Sequence, residues 1–518
     1  MAYAITQTCC TDASCVAACP VNCIHPTPDE PDFGRTEMLY VDPASCIDCG
    51  ACADACPVDA IFPVDALTGP MRAYAQVNAD YYAETRDSEP VASTGEEHSP
   101  NFHAWGPPVF DRTIPSDFPA LDVAVVGTGP AGMYAVEDLL LHTNCRVTLI
   151  DRLSTAGGLV RYGVAPDHPS TRKIGETFAR FHTHPRVEMR LGVEVGRDIT
   201  TEELAAEYDA VIYAVGASAA RTLDVPGEQL PGSVPATTTV AWYNGHPDVA
   251  DATIDLSAER AVLVGNGNVA LDVARILTTD PDELEHTEIS RRALRELRSS
   301  GIREVVLLGR RGPDKAAYTR PELLALVQRE DVELVVDTHD PDIARTVDAA
   351  PANSKAGLLR GLTQETVDWN AAPAHGRTRI VLRFHSSPEE FLGETRVRGV
   401  RVTGHSGSVD IPTGLVVRAI GHRGRPVAGL PFDERTGTVP HTAGRVWDRP
   451  GTYVVGWIKR GPSGGIGANR SCAKETVGSL IEDVVAGRLP AGERPRSKLV
   501  ELAGRLGGRL SRTLERSR

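Results

Sequence analysis

The 518-residue chain lacks the features that would place it in a membrane, in a secretory pathway or on nucleic acid. No stretch approaches the ~20 apolar residues of a membrane span. The N-terminal sequence MAYAITQTCC contains neither a basic residue nor the apolar core of a signal peptide. The net charge of −15 argues against nucleic acid as the main partner. Together, these absences predict a cytoplasmic protein without a membrane span.

Basic residues are scarce at the N-terminus, where residues 1–80 contain nine Asp and two Glu against two Arg. From Arg488 onward the sign reverses, with nine Lys or Arg against three Glu, and we interpret this tail as a solvated, partly helical or frayed end. Nine of the 11 cysteines lie in the first 56 residues. Without a secretory signal, this crowding favours metal or cluster ligands over a disulfide scaffold.

The second cysteine group has the spacing C-x2-C-x2-C-x3-C-P, formed by Cys46, Cys49, Cys52 and Cys56. In bacterial two-cluster ferredoxins, three cysteines of such a run bind one iron–sulfur cluster and the fourth binds the other. A zinc site usually has two separated pairs of ligands, so the compact run favours a cluster.

The first cysteine group fits the same template when Asp12 takes the second position, between Cys9 and Cys15, with Cys19 in the fourth. The crossover rule then gives one site with Cys19, Cys46, Cys49 and Cys52, enough for [4Fe–4S]. The other site has Cys9, Cys15 and Cys56, and three thiolates suit a [3Fe–4S] cluster. The alternatives are a labile fourth iron bound by Asp12 and a second [4Fe–4S] cluster. Cys10 competes with Cys9 as a ligand, and Cys10 and Cys23 are otherwise spare. Residues 1 to about 80 resemble bacterial seven-iron ferredoxins.

Beyond a proline-punctuated stretch, an apolar run ends in a glycine turn with the sequence GTGPAG, residues 127–132. A strand, such a turn and a helix start together form a pyrophosphate cradle, in which Gly127, Gly129 and Gly132 allow tight turning and close approach. The next run ends in Asp151, which can accept hydrogen bonds from a ribose hydroxyl. The loop that follows, GLVRYGVAPDHP, is predicted to lack regular structure and to lie where it can cover a bound ring system.

A second turn, Gly265-Asn266-Gly267-Asn268-Val269-Ala270, repeats the device with alanine in the third position. Two such turns predict two dinucleotides. The next strand leads into Arg310 and Arg311, which can bind the 2′-phosphate of NADP, although a solvated loop is the alternative.

Glu322 has two interpretations. The sequence Thr319-Arg-Pro-Glu322 is a capping box that opens a helix, and this is the interpretation the residues favour. A role in a site is compatible with a cap.

The stretches GTGPAG, GLVRYGVAPDHP and YDAVIYAVGA resemble the adrenodoxin-reductase type of ferredoxin–NADP reductase. The resemblance implies that His168 and Glu322 act together in a proton relay. It also implies FAD and NADP contacts at the positions that match the family. For FAD, in addition to the three glycines of the first turn, these are Ala131, Asp151, Leu159, Val195, Trp457, Gly464, Gly465 and Ile466. For NADP they are Asn266, Gly267, Asn268, Val269, Arg310, Arg311, Glu322 and Gly464.

The predicted fold is α/β, with an α+β two-cluster ferredoxin domain followed by two nested, three-layer Rossmann-like domains. The boundaries are 1–80 for the ferredoxin, 81–119 for a proline-rich linker, 120–222 and 424–518 for the FAD domain, and 223–423 for the NADP domain.

As a whole, the chain resembles fused ferredoxin/ferredoxin–NADP reductases of actinobacteria. The resemblance implies electron transfer between NADPH and either the chain's own clusters or an external ferredoxin or similar one-electron acceptor. An electron-input subunit of a larger, glutamate-synthase-like enzyme and a redox-sensing protein are the alternatives.

Overall fold

The computed structural model describes residues 2–87, 114–249, 254–373, 376–405 and 407–490. These residues form two compact units. The first contains 2–87, Tyr162–Lys173 and the described part of Ala220–His422; the second contains 114–161, Ile174–Ala219 and 423–490. Among the helices of these ranges, none combines the length and the apolar character that a membrane crossing requires. Most of the predicted linker and nearly all of the basic tail lie outside the described residues.

The N-terminal segment of the first unit is small and mixed. Strands β1 and β4 pair antiparallel, as do β2 and β3. The third helix extends through residues 81–87, which the domain proposal assigns to the linker. The elements are β1 (Tyr3–Ile5), α1 (Ser14–Ala18), β2 (Ile24–His25), β3 (Tyr40–Val41), α2 (Ala51–Asp54), β4 (Ile61–Pro63) and α3 (Ala73–Asp87).

The first glycine turn connects a central strand of the second unit to a helix. That strand, β5, lies between β6 and β8, all parallel. Its valines are buried, as expected for a strand of a parallel sheet covered on both faces. The elements of this part of the chain are β5 (Asp122–Val126), α4 (Pro130–His142), β6 (Arg146–Asp151), α5 (Leu159–Tyr162), α6 (Pro169–Arg172), α7 (Ile174–His182), β7 (Val187–Leu191), α8 (Thr201–Glu207) and β8 (Ala210–Tyr213).

The loop predicted to lack regular structure contains the short helix α5, and α6 begins at its last residue, Pro169, so that prediction is wrong in part. Its prolines do not prevent them because Pro169 occupies the first position of α6, where a missing N–H costs no intrahelical bond.

The second glycine turn follows β11 in a seven-stranded sheet of the first unit, in the order β10-β19-β11-β12-β15-β13-β14. The elements are β9 (Ala219–Ala220), β10 (Ser233–Pro235), α9 (Ala236–Tyr243), β11 (Arg260–Val264), α10 (Asn268–Thr278), α11 (Pro281–Leu284), α12 (Arg291–Arg298), β12 (Glu304–Leu308), α13 (Arg320–Val327), β13 (Val332–Asp337), α14 (Pro341–Ala349), β14 (Thr363–Glu365), β15 (Thr378–Arg383), β16 (Pro388–Leu392), β17 (Gly399–Val402), β18 (Val409–Pro412), β19 (Leu415–Arg418) and β20 (His422–Arg423).

Both faces of this parallel sheet are buried, but by different layers. Alternate residues such as Ala261 and Leu263 pack in a core with helices α9, α10, α12 and α13. The residues between them, such as Val262, pack against the antiparallel strands β16, β17 and β18. Continuous apolar runs such as VLV are therefore explained by burial on both sides.

The chain then completes the sheet of the second unit, in the order β21-β22-β23-β8-β5-β6-β7. The remaining elements are β21 (His441–Thr442), β22 (Arg445–Val446), β23 (Thr452–Val454), α15 (Trp457–Arg460) and α16 (Ala468–Val485). The α/β class is confirmed.

Candidate functional site

The three glycines of the first turn differ in the space that surrounds them. Gly127 has a φ of +111°, and a Cβ there would lie 2.4 Å from the carbonyl oxygen of Ala214. A Cβ on Gly132 would lie 2.0 Å from the carbonyl oxygen of Gly127. Gly129 differs, because the nearest atom to its Cβ would be the Gly158 Cα at 3.9 Å. Packing therefore requires the outer two glycines, while the middle one leaves open space of the kind a phosphate needs.

Asp151 is bound to the first turn within the protein. Its Oδ2 accepts hydrogen bonds from the backbone N–H of Thr128 (2.9 Å) and from the Thr128 hydroxyl (2.6 Å). Its Oδ1 accepts from the N–H of Leu153 (2.9 Å). A carboxylate has about four acceptor positions, so this arrangement leaves capacity for a ribose hydroxyl. Sequence reasoning missed the contact of Thr128 with Asp151. The available signal was a residue with a hydroxyl group at the second position of GTGPAG.

The second turn repeats this steric pattern. Gly265 has a φ of +115°, and its Cβ would lie 2.3 Å from the carbonyl oxygen of Ala419. The nearest atom to a Cβ on Gly267 would be the Ala317 Cβ, 4.0 Å away. Ala270 is fully buried. The middle glycine again leaves the open space.

The asparagines of the second turn form hydrogen bonds with the segment that directly precedes α13. The Asn266 Oδ1 accepts from the N–H of Ala317 (3.3 Å). The Asn268 Oδ1 accepts from the N–H of Thr319 (2.8 Å), and its Nδ2 donates to the Thr319 hydroxyl (3.2 Å). Both asparagines therefore connect the predicted NADP turn to the helix that carries Glu322.

The predicted capping box is wrong. Thr319 is the N-cap of α13, but its side chain accepts no cap hydrogen bond from the helix. Asn268 takes both groups that the box would use, the Thr319 N–H and its hydroxyl. The Glu322 side chain is therefore not used in a capping box and can contact other groups.

Glu322 instead lies in a partly buried cluster of charged groups in the first unit. One side-chain ligand atom each from His168, Asp272 and Glu322 lies within 4.8 Å of the others. Arg275 contacts Asp272 at 2.7 Å and the Glu322 Oε2 at 3.8 Å, and it pairs with Asp167 at 2.6 Å. The guanidinium between the carboxylates offsets their charge, which favours a proton over a divalent cation in this cluster. Sequence reasoning missed Asp272 and Arg275, whose i, i+3 spacing just after the turn was the available signal.

Burial and the neighbouring Asp272 carboxylate raise the pKa of Glu322. Its Oε2 is buried and has no hydrogen-bond partner among the described residues. For Asp167, burial acts to raise the pKa, but the hydrogen bond and charge of Arg275 outweigh it and the pKa is lowered. The cluster therefore separates two carboxyl groups by their proton affinity, which is typical of sites that move protons.

Arg310 and Arg311 follow β12, and both are exposed. Neither guanidinium has a hydrogen bond or ion pair within the described ranges. Gly309, immediately before them, would place a Cβ 2.5 Å from the Asn266 amide nitrogen. The arginine pair is therefore placed next to the second turn and its charge is available to an anion.

The other residues assigned to FAD by resemblance lie in the second unit. Leu159 begins α5 and is 42% exposed, and Val195 is partly buried against the core and bridges to Ile199. The Trp457 indole donates to the carbonyl oxygens of Ser463 (3.1 Å) and Gly464 (3.3 Å). This contact fixes the glycine-rich segment before α16.

Within that segment the two glycines differ. Gly464 has a φ of +74°, and its Cβ would lie 2.6 Å from the Ala468 Cβ. Nothing lies within 4 Å of a Cβ on Gly465. The backbone of Gly465, which precedes Ile466, is thus open to close approach.

Cysteines of the N-terminal segment fall into two neighbourhoods. The pKa of Cys9 is raised to about 11, mainly by burial and also by the neighbouring Cys56 and Asp12. Cys15 has the same neighbours, Cys9, Asp12 and Cys56. The buried Cys10 lies in this group as well, so Cys9 and Cys10 both remain candidates.

The second neighbourhood is centred on Cys52. Burial raises its pKa to about 11, with further contributions from Cys19, Cys46 and Cys49. The Cys19 and Cys23 sulfurs are 3.4 Å apart, so Cys23 belongs here. The fourth cysteine of each run thus lies beside the cysteines of the other run.

Comparisons with known proteins show which families the chain is similar to. Residues 121–307 match the family described as pyridine nucleotide-disulphide oxidoreductase, and residues 39–62 match the 4Fe-4S binding domain. The chain is 46% identical over 502 residues to the probable ferredoxin/ferredoxin–NADP reductase of Mycobacterium tuberculosis (strain ATCC 25618 / H37Rv), covering 94% of this chain and 85% of the relative.

Two further similarities cover a smaller share of the chain. The human mitochondrial NADPH:adrenodoxin oxidoreductase is 40% identical, over 72% of this chain and 81% of that one. The structure of Mycobacterium tuberculosis FprA in complex with NADPH has a TM-score of 0.68 and 39% identity, over 76% of this chain and 90% of that one.

Proposed function

Because the chain belongs to the family of fused ferredoxin/ferredoxin–NADP reductases, we propose that it passes electrons between NADPH and iron–sulfur clusters of its own N-terminal segment. An external ferredoxin or similar one-electron acceptor is the further partner. The observation that carries the proposal is the presence, in one chain, of two glycine turns with an open middle glycine and two neighbourhoods of cysteines.

FAD is proposed to bind at the first turn, with Gly127, Gly129, Ala131, Gly132 and Asp151. The open space above Gly129 fits its pyrophosphate. FAD supplies the exchange between a hydride, which carries two electrons, and single electrons. Further contacts are proposed for Leu159, Val195, Trp457, Gly464, Gly465 and Ile466.

Gly129→Ala is expected to leave the fold intact and to raise the Kd for FAD by at least about tenfold, because the methyl group occupies space that the pyrophosphate needs. Titration of the apoprotein with FAD, followed by flavin fluorescence, measures this. Gly132→Ala is the matched control: its Cβ would lie 2.0 Å from a carbonyl oxygen, so it should lower the melting temperature as well. Equal FAD affinity in Gly129→Ala and wild type would contradict the assignment.

NADP is proposed to bind at the second turn, with Asn266, Gly267, Asn268 and Val269 at the pyrophosphate. Arg310 and Arg311 are assigned to the 2′-phosphate, because two exposed guanidinium groups form charge-assisted bonds with a phosphate. The segment also has no acidic side chain directly after β12 to bind the free ribose hydroxyl of NAD. Gly464 is proposed as a further contact.

His168 and Glu322 are proposed to manage protons. Burial and Asp272 raise the pKa of Glu322, so its carboxyl group keeps a proton to higher pH than an ordinary carboxyl group does, and a ring nitrogen of His168 lies within 4.8 Å of it. Hydride transfer itself requires no acid or base, so their role is to supply or remove the accompanying proton.

Glu322→Gln is expected to lower turnover with a one-electron acceptor about tenfold, which is below the ~10²-fold typical of general acid–base catalysis because hydride transfer needs no proton donor. The wild-type carboxyl is protonated at low pH and loses its proton as the pH rises through its raised pKa. The variant should therefore lack the alkaline decline in turnover. Unchanged pH profiles would refute the role.

The clusters are proposed to use the two cysteine neighbourhoods. Cys19, Cys46, Cys49 and Cys52 are assigned to [4Fe–4S], and Cys9, Cys15 and Cys56 to [3Fe–4S], with Asp12 as the candidate ligand for a labile fourth iron. Support for this crossover comes from the positions of Cys56 beside Cys9 and Cys19 beside Cys52. EPR spectra of an ordinary four-cysteine cluster at both sites would contradict it.

We retain the domain proposal of a ferredoxin at 1–80 and an NADP domain at 223–423, inserted between FAD segments 120–222 and 424–518. Its insertion points are supported by the boundaries of the compact units at Ala219/Ala220 and His422/Arg423.

The test of the whole function is anaerobic loading with iron, sulfide and FAD, followed by NADPH reduction under combined visible and EPR spectroscopy. Flavin bleaching followed by changes in the cluster signals is the expected result. Flavin reduction with both clusters left oxidised would contradict internal transfer. A chain that reduces acceptors only within a stable hetero-complex would indicate an electron-input subunit instead.

A further inference from the structure

Two adjacent parallel strands place a histidine beside the arginine pair at one edge of the sheet. In the register of β12 and β15, Leu308 pairs with Arg383. Two residues beyond these partners, the strands lead to Arg310 and His385, respectively. Ligands of open α/β sheets bind beyond the carboxyl ends of the strands. His385 therefore lies at the same edge as the arginines assigned to the 2′-phosphate.

Backbone hydrogen bonds tie His385 to residues 309–312, which we call the arginine loop. The N–H of Ser386 donates to the carbonyl oxygen of Gly309 (3.0 Å), and the N–H of His385 donates to that of Arg311 (3.3 Å). His385 has a φ of +49°, in the left-handed region that histidine and asparagine adopt more readily than most residues. The backbone of His385 is thus held by the loop that carries the two arginines.

The ring of His385 is oriented by a buried carboxylate. Its Nδ1 lies 2.8 Å from the Oδ2 of Asp340, whose side chain is 9% exposed. The other ring nitrogen faces the arginine loop, because a Cβ on Gly312 would lie 2.8 Å from the Nε2. This Nε2 has no hydrogen-bond partner among the described residues, and the side chain is 32% exposed. One nitrogen is therefore held within the chain, and the other is open beside the loop.

The hydrogen bond to Asp340 determines what the open nitrogen can do. A carboxylate only accepts, so Nδ1 carries a hydrogen. In the neutral ring, Nε2 then presents a lone pair, which repels an anion. In the protonated ring, Nε2 donates as well. The protonated ring is therefore the form that an anion at the arginine loop would select.

Other ionisable groups lie on the Asp340 side of the ring. Arg383 forms an ion pair with the fully buried Asp337. Burial and the charge of Arg383 lower the pKa of His339, so this imidazole stays neutral at neutral pH. The exposed His405 has its Nδ1 3.5 Å from the Oδ1 of Asp340. Among the imidazoles that the structure describes here, His385 is the one that bonds to the arginine loop.

On the opposite side of the ring, the charged groups are exposed. They are Arg310, Arg311, Asp314 and Lys315. The Asp314 Oδ2 lies 3.4 Å from the Lys315 Nζ. Because Lys315 offsets Asp314, the arginine pair leaves this side with a net positive charge that suits an anion.

Resting on the proposed function, we propose that His385, oriented by Asp340, is a third cationic group of the site that binds the 2′-phosphate of NADP. Charge-assisted hydrogen bonds from the Nε2–H and the guanidinium groups offset the charge of about −1.5 to −2 that a phosphate monoester carries at pH 7. A neutral ring gains one proton from the solvent on binding, and the N–H bond on Nε2 is the bond that forms. NAD, which lacks this phosphate, does not cause that proton uptake.

The test measures the binding of two nucleotide fragments to the FAD-loaded protein by isothermal titration calorimetry. The fragment 2′,5′-ADP carries the 2′-phosphate, and 5′-AMP lacks it. In His385→Asn, the amide can replace Nδ1 as the donor to Asp340 and asparagine tolerates the positive φ, but nothing replaces Nε2. This variant should bind 2′,5′-ADP about tenfold more weakly, the usual loss for one hydrogen bond to a charged group, and 5′-AMP as before.

Two further variants separate charge from structure. His405→Asn removes the other imidazole near the same carboxylate and should leave both affinities unchanged. Asp340→Asn keeps the N-cap of α14, because asparagine caps as well as aspartate, and removes the charge behind His385. It should weaken the binding of 2′,5′-ADP, by a smaller factor than His385→Asn, and leave 5′-AMP unaffected.

Proton uptake gives a second measurement. Titrations at about pH 7.5, within the range where histidine changes its charge, are repeated in buffers of different ionisation enthalpy. The wild-type protein should take up more protons per bound 2′,5′-ADP than His385→Asn. A purely structural role of His385 does not produce this difference.

An unchanged affinity of His385→Asn for 2′,5′-ADP, equal weakening for both fragments, or the same proton uptake as in the wild type would overturn the role of His385. A wild-type protein that binds both fragments equally would instead overturn the proposed NADP site, because the arginine pair alone should separate them. If His385→Asn does not fold, Asp340→Asn decides the question by the same criteria.

Discussion

Replacing Arg310 and Arg311 together by alanine is expected to reduce the preference for NADPH over NADH about 100-fold. Each charge-assisted hydrogen bond contributes ~1.5–3 kcal/mol, and the lower value applies to exposed groups, so two bonds supply about 3 kcal/mol. NADH lacks the 2′-phosphate and should be used about as well as before. The effect should therefore lie mostly in KM for NADPH.

The measurement is kcat/KM for both nucleotides with a common acceptor. Arg303→Ala is the matched control, because Arg303 precedes the same strand, β12, that Arg310 follows. It removes a positive charge from the opposite end of the strand and should leave the preference unchanged. Equal loss of activity with NADPH and NADH in the double variant would contradict the assignment to the 2′-phosphate.

Replacing Arg275 by methionine is expected to destabilise the protein by about 3–5 kcal/mol, the usual effect of removing one partner from a buried ion pair. The Arg275 side chain is 12% exposed and contacts Asp167, Asp272 and Glu322. Without its charge, three neighbouring carboxyl groups are left in a cluster that no other arginine of the described residues contacts. Arg298→Met, which removes exposed ion pairs with Asp282 and Glu285, should change the stability far less.

The effect of Arg275→Met should depend on pH in a defined direction. In the wild-type protein, the lowered pKa of Asp167 contributes stability above its unfolded-state pKa, and this is lost as the pH falls. The raised pKa of Glu322 contributes stability at low pH, and this is lost as the pH rises through the folded-state value. Without Arg275 both carboxyl groups bind protons more readily, so the stability difference between variant and wild type should narrow as the pH falls.

Urea unfolding at about pH 8 and at about pH 4, which lie above and close to the ordinary pKa values of carboxyl groups, measures this difference. The unfolding of a two-unit protein is not a single transition, so the signal must come from the first unit. Tryptophan fluorescence from Trp242 and Trp369, both buried there, provides one. A gap that is equal at both pH values would show that Arg275 acts through packing alone.

The glycine turns were predictable because their cause is local. A buried strand, three small residues at fixed positions and a helix start are all contiguous, and steric exclusion by a carbonyl oxygen makes the outer glycines obligatory. The cysteine run after Ser45 is readable for the same reason, since three thiolates within seven residues fit one cluster. The family followed from these stretches, and the comparisons confirm it.

The predictions that were wrong concern groups with more than one available partner. The residues Thr319 to Glu322 satisfy a capping box in sequence, but Asn268, 51 residues away, takes the hydrogen bonds of Thr319. The loop that contains Pro166 and Pro169 forms the short helix α5 although its pattern predicts irregular structure.

The sequence alone determined the fold class, the two glycine turns and the spacing of the cysteine runs, because each depends on neighbours along the chain. The tertiary structure decided that Asp151 bonds to Thr128 and that Arg275 joins Asp167 to Asp272 and Glu322. These outcomes depend on which distant polar groups compete for the same donor, acceptor or charge. Only the folded chain decides which of these groups interact, because the fold sets the distances between polar groups that are far apart in the sequence.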